Sequence, residues 1–359
     1  MPDTTSSPEI LWDSGTAYDF FASLWAIHTP GEYGLRASWA AGVRSRLSTS
    51  ARETLAPIMQ VMGIPVAWLY ALEGPKTGRA VLDRIESMKP EEILPALAIN
   101  PRKVDACDEI LRGIMTRGAW TTADRDALLG SAACHQVKGL REKPADLAQW
   151  LDAWAQPSAF GVRYRAALRE YYEVFYREEE RRIAADVERG LAHAKELAAR
   201  LPAAELFEEL SQGIRGEDFL AKRGLVLVPC YWCSPRIIHS ELTDDQQIVL
   251  FGCRPPDASL IPGDTVPARL LLSLEALSDP TRLSILRAII AEPLTQADIA
   301  RRLRLRPPTI SHHLKSLRIA GLIAYIGTDT DETRYGARVQ QLEQTCDALK
   351  AFLEFKSSK

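Results

Sequence analysis

The chain has no run of about 18 uncharged apolar residues, so a membrane-spanning helix is excluded. Its first residues, MPDTTSSPEI, lack the basic and apolar segments of a secretory signal. Cysteine is scarce, with six unevenly spaced residues in 359, which is not a disulfide framework; reduced thiols and a cytoplasmic location are expected. A glycine-rich phosphate loop, Gly-x-Ser-x-Gly and His-Glu-x-x-His are all missing. His28, His135 and His193 are isolated, and the adjacency of Cys134 and His135 does not aim a nucleophile at a base. No enzymatic activity and no cofactor are therefore expected. What the chain does have is 46% hydrophobic residues, enough for real cores in two domains or more.

The most informative stretch is 277–323, LSDPTRLSILRAIIAEPLTQADIARRLRLRPPTISHHLKSLRIAGLI. Asp279-Pro280 opens a helix with an acidic cap and a proline at its first position, and Leu283, Leu286 and Ile290 are expected on its apolar face. Thr295, with Asp298 three residues on, resembles a capping box ahead of Ile299 and Leu303. After a short turn, Ile310, Leu314 and Leu317 repeat at helical spacing and face a core, which turns His312 and Lys315 outward with Ser311 on the flank. Between 295 and 320 six cations stand against one acid, on a chain whose net charge is −3. Such local positive charge suits phosphate binding.

This run, above all Thr-Ile-Ser-x-His-Leu-x-x-Leu-x-x-Ala-Gly-Leu-Ile, resembles the ArsR family of winged helix-turn-helix repressors. The resemblance implies a homodimer whose recognition helices enter successive major grooves of a pseudo-palindromic operator in double-stranded DNA, with a β-hairpin wing alongside. Arg306, Thr309, Ser311, His312 and Lys315 are the expected DNA contacts, and Arg334 is the best candidate in the wing. The wing tip carries Asp329, Asp331 and Glu332, which phosphate should repel. Family members usually have glycine at the turn and serine before the recognition helix; those positions hold Arg304 and Arg306 here, with Pro307 and Pro308 removing two amide donors. The flanking helices supply the family's dimer contacts, which points to Leu270, Leu274, Leu349 and Leu353.

The fold expected is mainly α. Residues 1–9 are read as a disordered tail, 10–222 as a helical sensor or regulatory bundle, 223–264 as a β-hairpin and linker, and 265–359 as the winged helix-turn-helix. Helices are expected at 15–27, 36–47, 51–62, 77–88, 91–98, 104–113, 122–137 and 143–155, followed by one long helix over 157–201 whose REEERR run reads as a solvated face. GLVLVPCYWC and QIVLFGC are apolar strands that pair as a hairpin. HTPGEYG, REYYEVFYREEERRIAADVERG and these strands are similar to a subgroup of ArsR-type regulators with a large N-terminal domain of unassigned role. Seven of eight tryptophans lie in the bundle, where core packing outweighs a ligand pocket as the reading. A binding head has no need of so large a bundle, so the bundle is expected to bias the head in response to a small-molecule effector of unknown identity.

Cys230, Cys233 and Cys253 are the thiol or metal candidates. A strand would put the first two on opposite faces, which favours incidental cysteines, and the helix ADIARRL holds none of the usual metal-site cysteines. No metal is assigned. Two alternatives remain: a thiol- or metal-responsive switch, or an adaptor whose bundle docks a partner protein.

Overall fold

The computed structural model describes residues 7–59, 61–131, 143–215, 219–234, 236–261, 266–326 and 333–354. Strand β1 (Glu9–Trp12) leads into α1 (Thr16–His28), whose residues are almost all buried. Around α1 wrap α2 (Ala37–Ser45), α3 (Thr49–Met59), α4 (Val66–Ala71), α5 (Gly78–Ser87), α6 (Pro90–Ala98), α7 (Ala106–Arg117), α8 (Thr122–Gly130) and α9 (Pro144–Ala155). Caps set several of these starts: Thr77, Asp105 and Thr121 each accept the backbone N–H three residues on. The part of the 122–137 expectation beyond Ser131, with Cys134 and His135, lies outside the described residues.

The long helix is α10 (Pro157–Tyr171), a π-helical turn (Tyr172–Tyr176) and α11 (Arg177–Ala198) in continuous succession. The π turn widens the helix at the run of aromatics, and Tyr171, Tyr172 and Tyr176 all point inward against Phe20. Trp150 and Trp154 are buried edge to face, and Trp232 stacks on Trp39. These four tryptophans all pack against another aromatic ring, and Trp150 also lines a cavity of about 370 Å³.

After α12 (Ala203–Leu210) and the short β2 (Ile214–Arg215) come β3 (Gly224–Cys230), β4 (Ile238–Glu241) and β5 (Gln246–Gly252). The hairpin expected between the two apolar runs does not form: β3 and β5 are parallel, in a sheet of order β1-β3-β5-β4. Only β4 and β5 are antiparallel. The reason is visible in β3, where every residue is buried, as befits a strand covered on both faces. Val226, Val228, Ile248 and Leu250 face the bundle, while Leu225, Leu227, Val249 and Phe251 pack on α12 and the end of α11. Pro229 is tolerated because β1 stops at the register of Leu227, leaving that edge open. The sheet also takes in Glu9, the last residue of the expected tail.

The REEERR run is not a wholly solvated face. Arg177, Glu178 and Arg181 are exposed, but Glu179 is buried and accepts bonds from Arg182 Nε at 2.8 Å and Trp232 Nε1 at 3.0 Å. Glu180 accepts the Gly78 amide at 2.6 Å. Arg182 is a local i,i+3 partner, but Trp232 and Gly78 lie far away in the chain, so sequence-local pairing rules miss them.

The head comprises α13 (Ala268–Leu277), α14 (Pro280–Ala291), β6 (Leu294–Thr295), α15 (Gln296–Leu303), α16 (Pro307–Ile319), β7 (Ile323–Ile326), β8 (Arg334–Ala337) and α17 (Val339–Glu354). Its sheet has the order β2-β7-β8-β6, and β2, donated by the body, runs parallel to β7. The molecule is mainly α, and no helix among the described residues is long and apolar enough to cross a membrane.

Asp19 on α1 ties the bundle to the turn after β3. Its Oδ1 accepts the Trp232 amide at 2.8 Å and the Cys230 thiol at 3.3 Å, while Oδ2 is buried without a partner. Burial, helped by the nearby charge of Glu179 and opposed by the Trp232 and Cys230 bonds, pushes its pKa up to about 7. Between the ordinary value of 3.8 and about 7 the folded chain holds a proton that the unfolded chain has lost. Stability from this group therefore falls as pH rises through that window, by up to about 1.4 kcal/mol per pH unit, and is flat above it. Asp19→Asn should remove that slope from urea unfolding measured between pH 4.5 and 8; an unchanged slope would contradict the assignment.

Candidate nucleic-acid interface

The first scaffold helix of the head, α14, starts as its sequence dictates, with Asp279 accepting the Arg282 amide at 2.8 Å and Pro280 at the first position. Its buried face is Ile285, Leu286, Ala288 and Ile289. Leu283 and Ile290, expected on that face, are 47% and 52% exposed. The helix is rotated by about one residue because its contacts come from several sides, β8, α13, α15 and α16, and not from one stripe.

Thr295 caps α15 by accepting the Asp298 amide at 3.2 Å, and its own hydroxyl donates to the Asp298 carboxylate at 2.8 Å. The turn that follows needs a left-handed residue, and Arg304 supplies it at φ 54°. Arg306 then occupies the cap position of α16 without a side-chain cap bond, followed by Pro307 and Pro308. Losing the cap acceptor costs little there, since the prolines have no amides to satisfy.

On α16, Ile310, Leu314 and Leu317 are buried, as their spacing predicts. Arg306, Thr309, Ser311, His312 and Lys315 are all exposed, so the five expected contact residues share the outer side of one helix and its start. The positive charge is partly engaged. Arg301 pairs with Asp298, Arg302 with Glu292, and Arg318 lies over the Tyr325 ring at 4.3 Å while bonding its hydroxyl. Arg304 and Arg306 form no ion pair among the described residues. In β8, Arg334 is half-buried and donates to the Pro293 carbonyl at 3.3 Å. The acidic tip residues Asp329, Asp331 and Glu332 lie outside the described residues.

Lys315 is bound by the body. Its ammonium forms an ion pair with Glu32, in the 3-10 turn Pro30–Glu32 that follows α1. Glu32 also pairs with Arg236, next to the turn that follows β3. Burial works against its ionisation, yet the Lys315 bond and the charges of Arg236, Lys315 and Arg318 hold its carboxyl below the ordinary glutamate range. The turn seats closely on the head: at Gly34, with φ 67°, an added Cβ would lie 2.8 Å from Leu272 and 3.1 Å from Ile319. Within HTPGEYG the role of Glu32 is not legible in the sequence, since its partner is 283 positions away.

The flanking helices α13 and α17 pack on each other. Of the residues assigned to a dimer contact, Leu270 is buried within this chain, Leu274 and Leu349 are half-buried, and Leu353 is 60% exposed. An open groove of about 620 Å³ runs between the two helices.

The thiols are placed differently from the strand picture. Cys230 ends β3 and Cys233 lies in the turn after it, so the two interact inside the core and do not point to opposite faces. The Cys253 amide donates to the Cys230 carbonyl at 3.2 Å. Burial pushes all three thiols up, which keeps them protonated and poor as nucleophiles. Among the described residues no group of three or more His, Cys, Asp or Glu is arranged to hold a metal. Cys107 is disulfide-bonded, against the expectation of six reduced cysteines, while Cys230, Cys233, Cys253 and Cys346 are free.

Residues 277–326 match the model of a helix-turn-helix domain. Among solved structures the chain is similar to an ArsR-like transcriptional regulator from Rhodococcus sp. RHA1, at 29% identity, covering 25% of this chain and 84% of that one, with a TM-score of 0.24. No curated protein matches.

The left-handed Arg304 yields a direct test. Arg304→Gly should stabilise the chain by roughly 1 kcal/mol in urea unfolding, because glycine adopts this conformation without the Cβ penalty. Equal or lower stability would contradict the strained turn.

Proposed function

We propose that this chain, which carries a helix-turn-helix domain at residues 277–326, is a DNA-binding transcriptional regulator: a cytoplasmic homodimeric repressor of the ArsR type, without enzymatic activity. The observation behind this reading is the exposed side of α16 and its start, where Arg306, Thr309, Ser311, His312 and Lys315 stand clear of a core built on Ile310, Leu314 and Leu317. Arg306 and Thr309 sit at the start of the helix, where their side chains meet phosphates, while His312 and Lys315 are one and two turns further along and read bases. Arg334 serves the backbone from the wing. The groove between α13 and α17, with Leu353 exposed at its end, supports pairing of two copies through this face. Closed two-fold pairing then matches a pseudo-palindromic operator.

The body regulates the head. Glu32 takes from α16 the one groove-facing lysine, Lys315, and a carboxylate in that position both occupies the cation and repels phosphate. DNA must displace this contact, so any signal that shifts the body shifts affinity.

Fluorescence anisotropy with promoter DNA from around the protein's own coding sequence tests both statements. Lys315→Ala combined with Arg306→Ala should weaken binding and lower the salt slope of log K by about 2, as two phosphate or groove contacts are lost. Unchanged binding across the salt titration would refute the placement. Glu32→Gln should strengthen binding roughly two- to fivefold, the range of a partly exposed ion pair. Weaker or equal binding would refute the restraint.

A further inference from the structure

Where the body meets the head, a cleft of about 570 Å³ is lined by the end of α12, the residues after β5, the start of α13 and the junction of β8 with α17. It contains three arginines with few partners: Arg254 from the body, Arg269 and Arg338 from the head. Arg254 Nη1 is sealed from solvent and has no hydrogen-bond partner. Arg269 donates to the Gln341 side chain, and Arg338 Nη1 to the Gly321 carbonyl at 3.1 Å. These two guanidinium groups converge, since a Cβ placed on Gly321 would lie 3.8 Å from Arg269 Nη2 and 3.8 Å from Arg338 Nη1. A second, smaller void of about 30 Å³ shares Arg254 and Arg269 and is lined by Ser234, whose buried hydroxyl is also unpaired.

The local charge does not balance. Glu208 and Glu209 line the same cleft, but Glu208 is already paired with Arg215 at 2.6 Å. Four arginines face two glutamates. Burial lowers the pKa of Arg254, to about 10, and of Arg269 and Arg338; Arg269 adds to the effect at Arg254, as Arg338 does at Arg269. Glu209 offsets part of this at Arg269 and Arg338, and Glu208 part of it at Arg338. Desolvated cations with too little counter-charge are costly, and a guanidinium with a free donor is built to receive an oxyanion in bidentate fashion.

We propose that this cleft is the binding site for a small multiply charged oxyanion, a phosphorylated or polycarboxylate metabolite, gripped by Arg254, Arg269 and Arg338. Because one arginine comes from the body and two from the head, the bound anion fastens the two together. It thereby favours the state in which Glu32 holds Lys315, a consequence that rests on the regulatory reading above.

Isothermal titration of the full-length protein with inorganic pyrophosphate, and separately with citrate, tests the site without reference to DNA. Saturable binding of either, weakened at least about tenfold by Arg254→Gln and by Arg338→Gln, is the expected result. Tighter binding of pyrophosphate identifies the phosphorylated class, and tighter binding of citrate the polycarboxylate class. Absence of saturable binding of both by the unmodified protein, or binding that both variants retain at full strength, would overturn the proposal. Because the titration contains no DNA, failure of the operator reading leaves its outcome intact. A bound anion that failed to lower operator affinity would sink only the regulatory consequence.

Discussion

The structure depends on the fastening of the head to the body. It is made first of backbone: β2, two residues long, adds itself to β7, so a strand that the body contributes completes the head's sheet. A second attachment is the turn after α1, where Gly34 admits Leu272 and Ile319 at distances that a side chain would forbid. The third is electrostatic, Glu32 on Lys315. A two-residue ladder and one ion pair are weak bonds by themselves, each worth on the order of 1 kcal/mol or less. On the regulatory reading proposed above, their weakness lets a ligand with modest differential affinity shift the junction.

The rest of the body makes one rigid unit of that attachment. Asp19, Glu179 and Arg182 join α1, α11 and the turn after β3 through Trp232 and Tyr231, so the segment carrying Arg236 is fixed to the helix that leads into Glu32. Buried polar networks of this kind are expensive unless every member is paired. The unpaired Oδ2 of Asp19 is the group that a proton satisfies below about pH 7. Cys230 and Cys233 belong to the same core and are fully buried in it.

Much of the head was legible in the sequence because its signals are local. Asp279-Pro280 and Thr295 cap helices where their types predict, and the spacing of Ile310, Leu314 and Leu317 fixes which side of α16 is free. The long helix was legible too, apart from its π turn. What escaped were features whose partners are distant in the chain. β1 is four residues that become a strand only against β3, and the two apolar runs leave parallel and antiparallel pairing undecided until the layers on both faces are known. REEERR looks self-neutralising locally, yet Trp232 and Gly78 draw two of its carboxylates inward. The rotation of α14, which exposes Leu283 and Ile290, likewise follows from its neighbours β8, α13, α15 and α16. The Glu32 contact and the arginine cleft are wholly products of the fold.

On the proposed function, α16 is the DNA-binding helix and the body holds it through Glu32. Hydrogen–deuterium exchange on the full-length protein, with and without bound operator DNA, addresses both halves in one experiment. The amides of Glu32 and Leu35, which bond to the Thr29 and Pro30 carbonyls, report on the turn. If DNA takes Lys315 from Glu32, exchange should slow over 306–316 and quicken over 30–35. Protection of α16 with no change at the turn, or protection elsewhere while α16 is unaffected, would contradict it.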